Sequence, residues 1–148
     1  MKLHRTGALL IAALLVVSLG ACTKKEDTLK DGYYNAQLSD YSYGWKEYVT
    51  IMVKGGKVVT VEYNAKNESG FIKSWDNNYM QNMLRVKGTY PNEYTRYYAS
   101  QLMGATDVPH IDAISGATTS YGTFQKLMVA VIEQAKKADS ALAIVPVE

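Results

Sequence analysis

The stretch Asp112-Ala-Ile-Ser-Gly-Ala-Thr118, continued by Thr119-Ser120, runs directly into a helical pattern. Behind it, Tyr121, Phe124, Leu127, Met128, Val131, Ile132 and Ala135 recur at helical spacing, while Gln125, Lys126, Glu133 and Lys136 take the other side. That period predicts a long amphipathic helix with one face in a core. A glycine-containing loop of hydroxyl residues therefore opens a helix. The first N–H groups of a helix have no internal partners and its dipole favours an anion at that end, so such a loop suits a phosphate. Ser115, Thr118, Thr119 and Ser120 bring hydroxyls that either cap the helix or meet that phosphate. Gly116 allows close backbone approach or positive φ, and Ala117 keeps the loop narrow. Taken alone, the same residues also describe an ordinary loop with an N-cap.

An internal control lies upstream. Gly104-Ala105-Thr106 repeats the tripeptide but lacks the Ser before Gly, and Asp107-Val108-Pro109 cannot easily begin a helix. Gly104 is expected as the C-cap of a preceding helix. That helix is signalled by Thr89 as a cap, Pro91 in the first turn and Glu93 near the positive end, with Tyr94, Tyr97, Tyr98, Leu102 and Met103 along one side. Before it, Phe71, Ile72, Trp75, Tyr79, Met83 and Val86 form an apolar stripe at helical spacing that ends at Gly88. Core packing against a sheet is the expected use of this stripe.

Further upstream the period shortens to that of strands. Tyr33 to Leu38 is β-favouring. Lys46 to Lys54 alternates Val49, Ile51 and Val53 with Tyr48, Thr50, Met52 and Lys54, and Lys57 to Ala65 alternates Val59, Val61 and Tyr63 with polar partners. Gly55-Gly56 joins them as a tight hairpin. After the last helix, Ala143 to Val147 reads either as a short edge strand limited by Pro146 or as disordered tail. The expected fold is α+β: a small antiparallel sheet packed with two to three helices, with the Asp112–Thr118 loop at the N-terminus of the last long helix.

The N-terminus reads differently. Lys2 and Arg5 precede the apolar run Ala8 to Leu19, which is short for a membrane span and right for a signal peptide. It closes on Leu19-Gly20-Ala21-Cys22, similar to a bacterial lipobox. Residues 1–21 are thus expected to be a lipoprotein signal peptide, Cys22 the lipidated residue, 22–30 a polar tether and 31–148 a single domain. Cleavage removes two basic residues and no acidic ones, which leaves 14 of each sign. No basic surface for nucleic acid is indicated. Cys22 is the lone cysteine and His110 the one histidine of the mature chain, so a zinc or iron–sulfur site built on those residues is excluded. Any redox role requires an added organic cofactor.

Asp112, Ser115, Gly116, Ala117 and Thr118 fit the pattern Asp, two free positions, Ser or Thr, Gly, Ala, Thr. The stretch resembles the flavinylation motif of the FMN-binding domain family, which includes the C subunit of the sodium-pumping NADH:quinone reductase, the G subunit of the Rnf complex and many small bacterial lipoproteins. The Gly32-Tyr-Tyr34 opening and the hairpin from Val53 to Glu62 are similar to that family as well.

The resemblance implies covalent FMN on Thr118, attached as a phosphoester from FAD by a separate Mg-dependent flavin transferase. Amides of Ala117 to Ser120 would hold the phosphate charge. Asp112 would either accept hydrogen bonds from loop amides or serve recognition by the transferase. Trp45, Tyr43, Tyr121 and Met103 are candidates to contact the isoalloxazine, and His110 either tunes the flavin or is a plain loop residue. The implied role is electron transfer outside the cytoplasm, from a membrane oxidoreductase or quinone-linked donor, by a carrier anchored to the cell envelope through its lipid. Two alternatives stand beside it: a lipoprotein that binds flavin or another ligand non-covalently, and a cofactor-free surface lipoprotein.

Overall fold

The computed structural model describes residues 28–147, so the signal peptide, Cys22 and the first part of the tether lie outside the described residues. Three strands come first: β1 (Gly32–Leu38), β2 (Lys46–Lys54) and β3 (Lys57–Lys66). Gly55 and Gly56 turn β2 into β3 with φ of 60° and 72°, a pair of left-handed residues whose twist matches that of the hairpin they join. Three helices follow, α1 (Asn77–Lys87), α2 (Pro91–Leu102) and α3 (Thr118–Lys137), and then a short β4 (Ala143–Val145). The sheet order is β3-β2-β1-β4.

The first three strands pair antiparallel, whereas β4 pairs parallel to β1, with Ala36 opposite Ala143. The expected edge strand thus exists, but the sheet is not wholly antiparallel. The direction follows from α3. Lys30 N–H donates to the carbonyl of Ala135 (2.9 Å), so the C-terminal part of α3 lies beside the start of β1. A strand that begins there must run the same way as β1.

α2 and α3 cover one face of the sheet. Val49, Ile51 and Val53 of β2, Tyr63 of β3, Tyr94, Tyr98 and Leu102 of α2, and Phe124, Leu127, Val131 and Ile132 of α3 are all buried. Phe124 stacks on Tyr98 at 5.7 Å and packs against Tyr63 at 4.7 Å. Each such side chain, fully buried, stabilises the fold by about 1.5–3 kcal/mol before entropy is counted.

Three expectations need correction. In β3 the inner face begins with Val58, while Val59 is 39 % exposed. An irregularity in pairing between Met52 and Val53 shifts the register by one residue, which inverts the faces at that end. The stripe from Phe71 to Val86 is not a core helix. Residues 73–75 form a 3₁₀ turn, and α1 begins at Asn77 because Asp76 accepts the N–H of Tyr79 as an N-cap. No residue of α1 is buried, and Phe71, Trp75, Leu84 and Val86 are exposed. The end of the helix is as expected: Gly88 donates its N–H to the carbonyl of Leu84. α2 ends one residue earlier than a cap at Gly104 requires; its C-cap is Met103.

Candidate functional site

The loop before α3 is held from below by α2. Gln101 Oε1 accepts the Asp112 N–H (2.9 Å), and its Nε2 donates to the Asp112 carbonyl (3.3 Å). The Tyr98 hydroxyl accepts the Ile114 N–H (3.1 Å) and donates to the Ala117 carbonyl (3.4 Å). Tyr121 donates to the Ile111 carbonyl (3.0 Å) from the first turns of α3. Ile111 and Ala117 are buried and pin the two ends of the loop to the core.

Between them the chain turns over Ile114–Ala117, with Ala117 N–H donating to the Ile114 carbonyl (3.1 Å) and Gly116 at φ 84°. Only glycine fits there. A Cβ on Gly116 would lie 2.3 Å from the carbonyl oxygen of Lys87, at the end of α1. The loop and the last turn of α1 are therefore in backbone contact.

α3 starts at Thr118 with Ala117 as its N-cap, and no side chain caps it. None of the four hydroxyl residues fills the capping role that was one of their two possible uses. Ser115, Thr118 and Thr119 are exposed, and Ser120 turns inward. Asp112 is exposed as well: its carboxylate lies 3.3 Å from His110 Nε2, also exposed, instead of accepting hydrogen bonds from loop amides.

A cleft of about 370 Å³ opens beside this loop. Gly116, Ala117 and Thr119 form one lip, and Tyr43, Tyr79, Met83 and Val86 supply apolar and aromatic wall. Of the residues considered for ring contact, Tyr43 lines the cleft. Trp45 stands behind Tyr79 at 6.2 Å, edge to face. Tyr121 and Met103 are not among the lining residues.

The sequence reading missed the cleft floor, which is polar. Glu47, the second residue of β2, is buried, with its Oε1 receiving the Ser120 hydroxyl (2.9 Å) and its Oε2 the Tyr63 hydroxyl (2.8 Å). Burial pushes the Glu47 carboxyl above its ordinary range, against the opposing pull of Tyr63, Lys73, Ser120 and Thr123. Lys73, in the 3₁₀ turn, is pushed the other way by burial, while Glu47 opposes that shift. Burial also raises Tyr63, with Glu47 adding to the effect. One sign was legible: positions 47, 49, 51 and 53 share a parity, so the valine-isoleucine face of β2 carries an acid into the interior. Among the described residues, no group of three or more His, Cys, Asp or Glu is placed to hold a metal ion.

No protein-family model matches the chain. The chain is 31% identical over 129 residues to the 15 kDa lipoprotein of Treponema pallidum (strain Nichols), covering 86% of this chain and 90% of that one. The crystal structure of the CPE2226 protein from Clostridium perfringens superposes with a TM-score of 0.76 at 32% identity, over 81% of this chain and 99% of the other. The extent and level of these matches place the chain in the family of the 15 kDa lipoprotein.

Proposed function

We propose that this protein is a lipid-anchored envelope flavoprotein that carries FMN on Thr118 and passes electrons outside the cytoplasm. The supporting observation is the setting of Thr118. It is an exposed hydroxyl residue at the first position of a 20-residue helix with no side-chain cap, and its chain neighbours Ala117 and Thr119 line an aromatic cleft that Thr118 itself does not line. An attached phosphate would meet free amides and the positive end of the dipole. The cleft beside it suits a flat aromatic ring: Tyr79, Met83 and Val86 are wall, and Gly116 and Ala117 line it without bulky side chains.

In the transfer, the Thr118 oxygen bonds to the FMN-side phosphorus of FAD, the pyrophosphate bond breaks, AMP leaves, and the hydroxyl proton passes to solvent or the transferase. The chain has only to present the hydroxyl, and Thr118 is exposed. Bound FMN supplies the redox chemistry; the protein supplies position and electrostatics. The layout fits an anchor. Leu29, expected in the tether, is instead buried in the core, and Lys30 beside Ala135 lies about 25 Å along α3 from Thr118. The proposed cofactor end lies at the far end of α3 from Lys30, with a quinone-linked or other membrane oxidoreductase as donor.

The test is intact-mass spectrometry of the full chain co-expressed with a flavin transferase, beside Thr118→Val. A gain of one FMN less water in the wild type alone supports the covalent carrier. An unmodified yellow protein that loses colour on denaturation supports non-covalent binding, and a colourless one supports a cofactor-free lipoprotein.

A further inference from the structure

Lys73 is 9 % exposed, yet no oxygen among the described residues accepts a hydrogen bond from it. Its Nζ lies 5.0 Å from the ring centre of Tyr79 and 5.7 Å from that of Trp45. These faces attract a cation but do not accept its three N–H bonds as an oxygen does. Glu47 is its electrostatic partner, but among the described residues the two form no ion pair within 4 Å, and the Glu47 oxygens receive the hydroxyls of Ser120 and Tyr63. An ammonium held between two rings turns its N–H bonds to the open cleft, where water or a ligand oxygen can accept them. Lys73 lines the cleft, so the space its donors can reach is the space a ligand would fill.

We propose that Lys73 is the positioning residue for the acceptor edge of the group bound in the cleft: given FMN on Thr118, it donates to the carbonyl and ring-nitrogen edge of the isoalloxazine. This inference rests on the flavoprotein reading above. Bound FMN would supply the redox chemistry: with two electrons from a reductant such as dithionite and one proton from solvent, the reduced ring would carry one negative charge on that edge. The Lys73 cation offsets that charge and raises the reduction potential. Trp45 and Tyr79 hold the ammonium in place, so that it does not leave with solvent. Glu47 keeps the cation from losing its proton as burial drives it to do.

The test uses the flavinylated full chain as wild type, Lys73→Met and Lys73→Arg, with FMN attachment checked by mass in each. Two quantities are read: the midpoint potential and the affinity for sulfite. Sulfite adds through sulfur to the flavin N5, nothing leaves, and the adduct carries negative charge into the same ring edge. Lys73→Met should lower the potential and weaken sulfite binding roughly tenfold, the size of effect expected from one unit charge at a partly buried site. Lys73→Arg should restore most of both. If Lys73→Met does not fold, Lys73→Gln keeps polarity without charge and should show the same losses. Equal potential and sulfite affinity in wild type and the uncharged variant, with FMN present on both, overturn the role of Lys73 and leave the carrier intact. No FMN on the wild type overturns the carrier and the role of Lys73 together.

Discussion

Gly104-Ala105-Thr106 and Gly116-Ala117-Thr118 share three residues and a left-handed glycine, at φ 79° and 84°. They are used in opposite ways. The first tripeptide commits its backbone to the sheet: Gly104 N–H donates to the Val58 carbonyl (2.8 Å), and the Ala105 carbonyl accepts the Val58 N–H (2.9 Å). It closes off the irregular start of β3. The second tripeptide accepts the Tyr98 hydroxyl of α2 at its Ala117 carbonyl, meets the end of α1 at Gly116, and leaves the first amides of a long helix without a side-chain partner. Residue identity is the same in both places. What differs is the amides that follow: Ala117 N–H is taken by the Ile114 carbonyl, but the N–H groups from Thr118 to Ser120 open a helix, and a site for an anion requires such donors.

The largest predicted difference between the two is chemical. Thr118→Val should abolish FMN attachment in co-expression, while Thr106→Val should leave the mass gain complete. Loss of flavin from the Thr106 variant, or its retention in the Thr118 variant, would break the assignment. Intact mass resolves both.

Next comes backbone fit. Alanine at either glycine imposes a left-handed residue, at about 1 kcal/mol. At Gly104 a Cβ meets nothing within 4 Å, whereas at Gly116 it meets the Lys87 carbonyl at 2.3 Å. The neighbour is backbone and cannot rotate away, so α1 or the loop must shift. Gly116→Ala should therefore lose about 3 kcal/mol and Gly104→Ala about 1 kcal/mol in urea unfolding. Equal losses would mean that α1 yields freely, in keeping with its lack of buried residues.

Acid–base behaviour separates the two regions by sign. Glu47, under Ser120, has its native pKa raised above 4.5 by burial. The native state thus binds the proton more tightly than the unfolded chain, and stability falls as pH rises from 4.5 through the native value. Glu47→Gln should flatten that decline. Lys73, lowered from 10.5, acts at the other end: stability rises as pH climbs from its native value toward 10.5. Urea midpoints across pH test both, and an unchanged slope in Glu47→Gln would show that the carboxyl is hydrated enough to titrate normally.

These differences also mark where the sequence could be read and where it could not. α3, the β2–β3 hairpin and the glycine end of α1 follow from local period and capping, and the structure has them. The register shift at Met52/Val53 leaves no mark on composition, so the strand alternation carried Val59 inward wrongly. The stripe from Phe71 to Val86 has helical spacing, but spacing does not say what will cover it, and here it walls a cleft at Tyr79, Met83 and Val86. The position of the Asp112–Thr118 loop at the start of α3 was legible because its neighbours in sequence are its neighbours in space. Glu47 and Lys73 were not, because they meet only when the start of β2 and the 3₁₀ turn are folded together.

The smallest expected effect lies beside Thr106. Asp107 pairs with Lys136 of α3 at 2.8 Å and accepts the Val108 N–H at 2.7 Å. The Lys136 hydrogen bond holds its carboxyl below the ordinary 3.8. The sign is opposite to that of Glu47: the contribution is present above pH 3.8 and is lost as pH falls through the lowered native value. Asp107 is solvent-exposed, so salt screens the pair and most of its Coulomb energy is lost to water. Asp107→Asn should shift the melting temperature slightly at neutral pH, less in high salt, and not at all once the wild-type carboxyl is protonated. A loss as large as that of Gly116→Ala would mean that the 104–107 turn holds α3 against the sheet by more than this ion pair, and that the first tripeptide is as closely built into the fold as the second.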